Sequence, residues 1–291
     1  MEKVVMTLVA VIAFAFAQAQ SFKFGVGYGI PWISQPIGTN SSSTSTTTLN
    51  TETGYEVSRA TSSHENMKGS YGAGWNASGA FCYTLSENIG LELGIGYAVG
   101  KEYTTRSSFT DVYLENRNIT SESETFKSRA ISFTPALKFM TQRRDFTPYF
   151  LVGPIFSKVN FRSAMIRTAD ENGTVTTESH NTKFKGGFTL GLRGAVGVSV
   201  IVNKKLTLFS EIVFTGMNYY PKESEITHYI INGEDKIGTL TPNVRKTVYV
   251  DKIENDSDKA NDNVNVPNRN LRFPVAMSSV SANAGVQVKL Q

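Results

Sequence analysis

The 291-residue chain holds one cysteine, three histidines and charged residues at only 19% of its length. A single thiol, Cys82, makes no internal disulfide and supplies no metal-ligand spacing. Its expected role is a small residue packed in a strand. His64, His180 and His228 include no His-x-x-x-His pair, and no Gly-x-Ser-x-Gly elbow occurs. Neither a zinc site nor an elbow nucleophile is therefore indicated. No Gly-Lys-Ser/Thr is present either, which removes the phosphate loop that Gly191, Gly194 and Gly197 first suggest. The net charge is +4, with Lys and Arg scattered and no basic run. A nucleic-acid surface is not expected. Beyond the N-terminus no apolar run approaches the length of a transmembrane helix.

The N-terminus has its own pattern. Met1-Glu2-Lys3 precedes a near-continuous apolar run, Val4 to Ala17, and Ala17-Gln18-Ala19 fits the small-x-small cleavage rule. Residues 1–19 read as a secretory signal peptide cut after Ala19, leaving one domain over residues 20–291.

The rest of the chain alternates with period two. Eight segments put apolar residues on one face: Phe22–Ile30, Tyr71–Tyr83, Ile89–Val99, Ile131–Phe139, Tyr149–Phe161 (whose other face, Phe150, Val152 and Phe156, is also apolar), Phe188–Val200, Leu206–Thr215 and Val280–Leu290. Such alternation predicts half-buried strands. Short turns sit at Leu85–Asn88, Gln142–Asp145 and Asn203–Lys205. Long connections cover about 31–70, 103–125, 162–182 and 221–272. Strict alternation of short and long links predicts an all-β fold, an eight-stranded antiparallel up-and-down transmembrane barrel with short periplasmic turns and four long extracellular loops. The bulky face would meet lipid, and the Gly, Ala, Ser, Thr and Asn face would line a narrow lumen.

Two paired segments carry a family resemblance. ISFTPALKF (Ile131–Phe139), a short turn, and PYFLVGP (Pro148–Pro154) resemble neighbouring strands of the Bacteroidota outer-membrane β-barrel domain family. That group includes PorT-like proteins and is similar in layout to OmpA-like eight-stranded barrels. The resemblance implies a Gram-negative outer-membrane location and carries over no catalytic residue.

Four charges fall on the small-residue face: Glu92, Lys138, Arg193 and Glu211. With the turn at Asn203–Lys205, Arg193 lies about opposite Val213 and diagonal to Glu211. Glu92 and Lys138 sit at similar heights on adjacent strands. An unpaired charge in a narrow lumen is very costly. Two ion pairs, Arg193–Glu211 and Glu92–Lys138, are therefore expected to fill it, with a partner-swapping gate as the alternative. Interfacial aromatics are expected at Tyr71, Trp75, Tyr97, Tyr219 and Tyr220 toward the loops. Tyr83, Phe139, Phe146 and Tyr149 are expected toward the turns.

The first loop contains TNSSSTSTTTLNTETG (Thr39–Gly54), expected as a flexible surface segment or glycan acceptor. The fourth carries Asp251, Glu254, Asp256, Asp258 and Asp262. Ala260 breaks the EF-hand spacing, so a solvated acidic loop is expected. The combined reading is a non-enzymatic barrel without metal or cofactor. It anchors surface loops for envelope stabilisation, adhesion or partner binding. The alternatives are a narrow or gated porin-like pore for small solutes and a rim-located enzyme. Expected partners are outer-membrane lipid and lipopolysaccharide, with an extracellular protein or glycan at the loops, and a monomer is favoured.

Overall fold

Extended ribbons with one bulky and one small face gain little alone, because their backbone groups need a neighbouring strand. The computed structural model describes residues 20–32, 35–49, 56–114, 116–141, 146–253 and 263–290. The expected signal peptide with its cleavage point, the turn Gln142–Asp145 and most of the acidic run (Glu254, Asp256, Asp258, Ala260, Asp262) lie outside them.

Among the described residues there are seventeen strands. They are β1 (Ser21–Pro31), β2 (Gln35–Leu49), β3 (Glu56–Gly69), β4 (Gly74–Thr84), β5 (Ile89–Gly100) and β6 (Tyr103–Tyr113). Then come β7 (Asn116–Met140), β8 (Phe146–Glu171), β9 (Thr174–Gly186), β10 (Phe188–Ile201), β11 (Leu206–Tyr219) and β12 (Pro221–Ile231). The series ends with β13 (Glu234–Asp235), β14 (Lys246–Val250), β15 (Asn268–Leu271), β16 (Val275–Ala276) and β17 (Ser279–Lys289).

Eight of these pair antiparallel in an unbroken cycle. β1 pairs with β4, β4 with β5, β5 with β7, and β7 with β8. β8 then pairs with β10, β10 with β11, β11 with β17, and β17 with β1. Each has two partners, so this part of the sheet has no open edge.

The expected count of eight strands is corrected to seventeen. The additional strands fall in or beside the segments expected as loops, and β7 and β8 run far past the cycle, at 25 and 26 residues. Beyond the cycle the same sheet continues through β7 and β8 into an extension, termed the second sheet, in the order β3-β2-β6-β7-β8-β9-β12-β14-β15. The Ser/Thr-rich stretch is likewise corrected. Gln35–Leu49 is a strand paired along its length with β3, and residues 50–54 lie outside the described ones. These strands escaped the sequence reading because β3 is exposed at nearly every position and β2 buries little. Without a buried face there is no apolar period to detect, while threonine favours extended backbone and cross-strand hydroxyl contacts such as Thr47–Ser58 at 2.9 Å.

Inside the cycle the alternation has two faces. Phe24, Val26, Tyr28, Ile30, Leu190, Leu192, Val196, Leu208 and Ile212 are exposed on the outside. Small residues dominate the inside, but β8 turns Tyr149, Leu151, Ile155, Val159 and Phe161 inward. The expected lipid-facing set of this strand is thereby corrected: its opposite face, with Phe150 and Phe156, is the exposed one, and the Tyr149 parity fills much of the interior. At mid-height Ala136, Tyr149, Leu151, Ala195 and Val213 cluster. Toward the long connections a larger aromatic cluster includes Tyr71, Tyr103, Phe161, Phe184, Met217, Tyr219 and Met277.

Candidate functional site in the lumen

β1 alternates Phe22, Phe24 and Val26 outward with Lys23, Gly25 and Gly27 inward. Parity therefore buries an ammonium, which requires partners. Lys23 Nζ donates to Glu211 Oε2 at 2.6 Å and lies 3.4 Å from Glu92 Oε2. The Lys23, Glu211 and Glu92 side chains are 4%, 0% and 7% exposed, so the contacts are shielded from solvent. The same ammonium stands 4.4 Å from the Phe209 ring centroid and 5.3 Å from that of Tyr149. Tyr149 Oη donates to Glu211 Oε2 at 3.0 Å. Arg193 Nη2 is 3.7 Å from Glu211 Oε1. Cys82 is buried, with its Sγ 3.7 Å from Glu92 Oε2.

The expected charges are thus brought to one region with different partners. Arg193 and Glu211 meet, but in another register. Arg193 is opposite Thr215, while Val213 faces Ala195 and Glu211 faces Gly197. The long guanidinium covers the extra distance. The expected Glu92–Lys138 pair is corrected, and no such ion pair exists among the described residues. Glu92 is opposite Ala136 and Lys138 opposite Gly90, an offset of one inward position. Glu92 turns across the lumen to Lys23. Lys138 Nζ stands 4.3 Å from the Tyr149 ring centroid, a cation–π arrangement.

Lys23 is the residue that sequence reasoning missed. Its parity was readable, but its partners come from strands far apart in the chain. Three cations (Lys23, Lys138, Arg193) and two carboxylates (Glu92, Glu211) thus share the narrow interior. They tie β1, β5 and β11 together across it.

Above this cluster lies a cavity of about 80 Å³, lined by Asn76, Ser78, Ser157, Arg193 and Asn283 among others. Ser157 Oγ, Asn283 Oδ1 and Glu211 Oε1 have no hydrogen-bond partner within the protein. A space of that size has room for several waters, which would meet Ser157 and Asn283. The aromatic cluster closes it on the side of the long connections. Phe161 is 2% exposed, with ring centroids 4.9 Å from Tyr71, 5.1 Å from Phe184 and 5.8 Å from Phe126.

The expected interfacial aromatics divide. Trp75, Tyr83, Tyr97, Phe139, Phe146 and Tyr220 are exposed on the outer surface, and Trp75 meets Tyr28 edge-on at 5.2 Å. Tyr149, Tyr219 and Tyr71 are corrected: all three are buried in the interior. Tyr149 shares the parity of Leu151, and Tyr219 that of Glu211 and Val213. The histidines lie on β3, β9 and β12 rather than in irregular loops, and Tyr229 pairs with His180. Among the described residues no three His, Cys, Asp or Glu side chains group as a metal site. No described helix is long and apolar enough to cross a membrane, which leaves crossing by strands open.

No curated protein matches the chain. A family model, the outer membrane protein beta-barrel domain, matches residues 16–220, well over half of the sequence. With its all-β architecture, the chain belongs to the outer membrane protein beta-barrel domain family, and its place is the outer membrane.

Proposed function

We propose that this protein is a non-enzymatic transmembrane barrel, closed by eight of its seventeen described strands, that anchors a surface-exposed β-sheet in the outer membrane. In this reading the closed cycle of eight strands crosses the bilayer and the second sheet projects outward for partner binding or envelope stabilisation. The carrying observation is that β7 and β8 continue unbroken from the closed cycle into the second sheet. A rigid ladder of this kind transmits the position of the anchor to the surface without a hinge. The apolar outer face and closed pairing meet the demand that lipid leave no backbone group unpaired. We also place the chain in the narrower Bacteroidota group on its ISFTPALKF and PYFLVGP segments.

The pore reading has less support. The lumen is occupied by the Lys23 cluster and then closed by the aromatic cluster. Planar-bilayer recording of the full mature chain tests the choice. The anchor reading expects a silent membrane despite verified insertion. Frequent, large openings would replace it with the pore. Surface digestion of intact cells would test the outward sheet. Cleavage within β2–β3 without loss of the membrane-embedded fragment is expected.

A further inference from the structure

The outer surface carries a row of cations that the chain itself neutralises only in part. Lys127 on β7 is directly opposite Arg162 on β8, and Arg162 is directly opposite Lys183 on β9. Side chains at such positions stand about 5 Å apart at Cβ, and like charges placed there repel. One step lower on β7 is Arg129, and Lys158 lies opposite Ile131. Lys127 has Glu102 at 2.9 Å, and Lys185 has Glu223 and Glu225 at 3.0 Å each. Arg129, Lys158, Arg162 and Lys183 have no carboxylate at ion-pair distance among the described residues.

Their height on the barrel identifies the ligand class. Below Arg129, β7 turns Ile131, Phe133, Pro135, Leu137 and Phe139 outward, and Ile131 is among the most exposed apolar side chains. From Phe139 to Ile131 the strand rises roughly 26 Å before tilt, at about 3.3 Å per residue. At the usual strand tilt of about 40° Ile131 stands about 20 Å above Phe139 and Arg129 about 25 Å above it, so Arg129 falls at the top of the apolar band of about 25 Å in outer-membrane barrels. The cations therefore sit directly on the loop-side edge of that band. Two open grooves are cut there, one of about 540 Å³ containing Arg129, Lys158 and Lys183, the other of about 450 Å³ containing Arg162 and Lys183. Tyr97 and Ile131 line the first groove from below.

We propose that this patch binds the phosphorylated headgroup of an outer-leaflet glycolipid, with its acyl chains lying along the β5–β7–β8 apolar face. Guanidinium groups suit phosphate through paired donors, and the lysines add point charge. The inference rests on the barrel reading above, because it needs the apolar band to be in lipid.

The test uses the full mature chain folded into phosphatidylcholine vesicles, with and without a minor fraction of diphosphorylated lipid A. Protease protection of the barrel is scored first, and its absence would remove the membrane reading itself. Lipid A retained through detergent extraction is then counted by native mass spectrometry. Replacing Arg129→Gln, Lys158→Gln, Arg162→Gln and Lys183→Gln together should lower retention by roughly tenfold or more, since each cation near a membrane surface contributes to such binding. These residues are on the surface, and protease protection of the quadruple variant verifies its fold. Dephosphorylated lipid A should behave with the native chain as lipid A does with the variant. Lys204→Gln with Lys205→Gln, at the opposite end, should leave retention unchanged. Equal retention by native and quadruple chains, equal loss in the opposite-end control, or displacement by inorganic phosphate as effective as by lipid A would each overturn the proposal while leaving the barrel reading standing.

Discussion

Lys23 Nζ donates to Glu211 Oε2 at 2.6 Å, joining residues 188 positions apart in the sequence. The contact crosses the interior of the closed cycle between β1 and β11. Its consequence is that Glu211 is shared by Lys23, Tyr149 and Arg193 rather than belonging to a single pair.

Removing the shared cation should be severe. Lys23→Met leaves Glu92 and Glu211 buried against each other without their ammonium. A loss of about 3–5 kcal/mol is expected, the usual cost of stranding a buried charge. Lys23→Met combined with Glu92→Gln and Glu211→Gln should recover a large part of it. Urea midpoints of the vesicle-folded protein, read by heat-dependent gel migration, measure both. A Lys23→Met midpoint equal to the native one would disprove the shared-cation account.

Charge reversal distinguishes a pair from a network. An isolated Arg193–Glu211 pair would tolerate Arg193→Glu with Glu211→Arg. Here the guanidinium introduced at position 211 would face Lys23, so the double variant should be no more stable than the single Glu211→Arg. The same midpoints report it, and full recovery in the double variant would reduce the network to a pair.

Gly197 provides the space that Tyr149 uses. A Cβ at position 197 would stand 2.6 Å from Tyr149 Oη and Cζ, and 2.8 Å from the Ser210 carbonyl oxygen. Gly197→Ala should push the ring off Glu211 and cost about 1–3 kcal/mol, as overpacking usually does. Gly197→Ala with Tyr149→Phe should couple non-additively, because both act on one hydrogen bond. Strict additivity of the two midpoint shifts would contradict this.

Phe161 should be the most sensitive member of the aromatic closure. Phe161→Ala removes a ring that contacts Tyr71, Phe126 and Phe184 and should destabilise by about 3–5 kcal/mol. It should also open the lumen cavity toward the second sheet. Faster amide exchange at Ser157 and Val159, with little change near Lys23, is the expected pattern.

In the second sheet, Lys185 contacts both Glu223 and Glu225 at 3.0 Å, and Arg245 Nη2 lies 3.3 Å from Glu225. The Lys185 hydrogen bond, with added charge from Lys246 and Arg245, holds the Glu225 carboxyl below its ordinary range. The Glu223 and Glu225 hydrogen bonds hold the Lys185 ammonium above its own. The Glu225 contribution to stability is therefore complete above the ordinary carboxylate range and lost as pH falls through the depressed value. The Lys185 contribution is complete below the ordinary lysine range and lost as pH rises through the raised value. Carbon NMR should show Glu225 titrating below the exposed glutamates, and Lys185→Met should return it toward them. An unshifted Glu225 midpoint in the native protein would refute the assignment.

Except in β8, which is apolar on both faces, the sequence alone determined which faces of the cycle strands are bulky and which are small, because strand parity is local and does not depend on partners. The same parity marks Lys23 and Tyr219 as inner-face residues, whereas Tyr149 lies on β8, whose two apolar faces leave parity unable to place it. Only the tertiary structure decided who pairs with whom. Lys23 reaches Glu211 and Glu92 because β1 and β11 both pair with β17 as the cycle closes, and because Glu92 projects from β5 into the same interior. Register decided that Lys138 misses Glu92 by one inward position. The second sheet was invisible for a different reason. Strands wet on both faces need cross-strand hydrogen bonds but no apolar period, so their order is recorded in distant backbone partners rather than in any stretch of the chain.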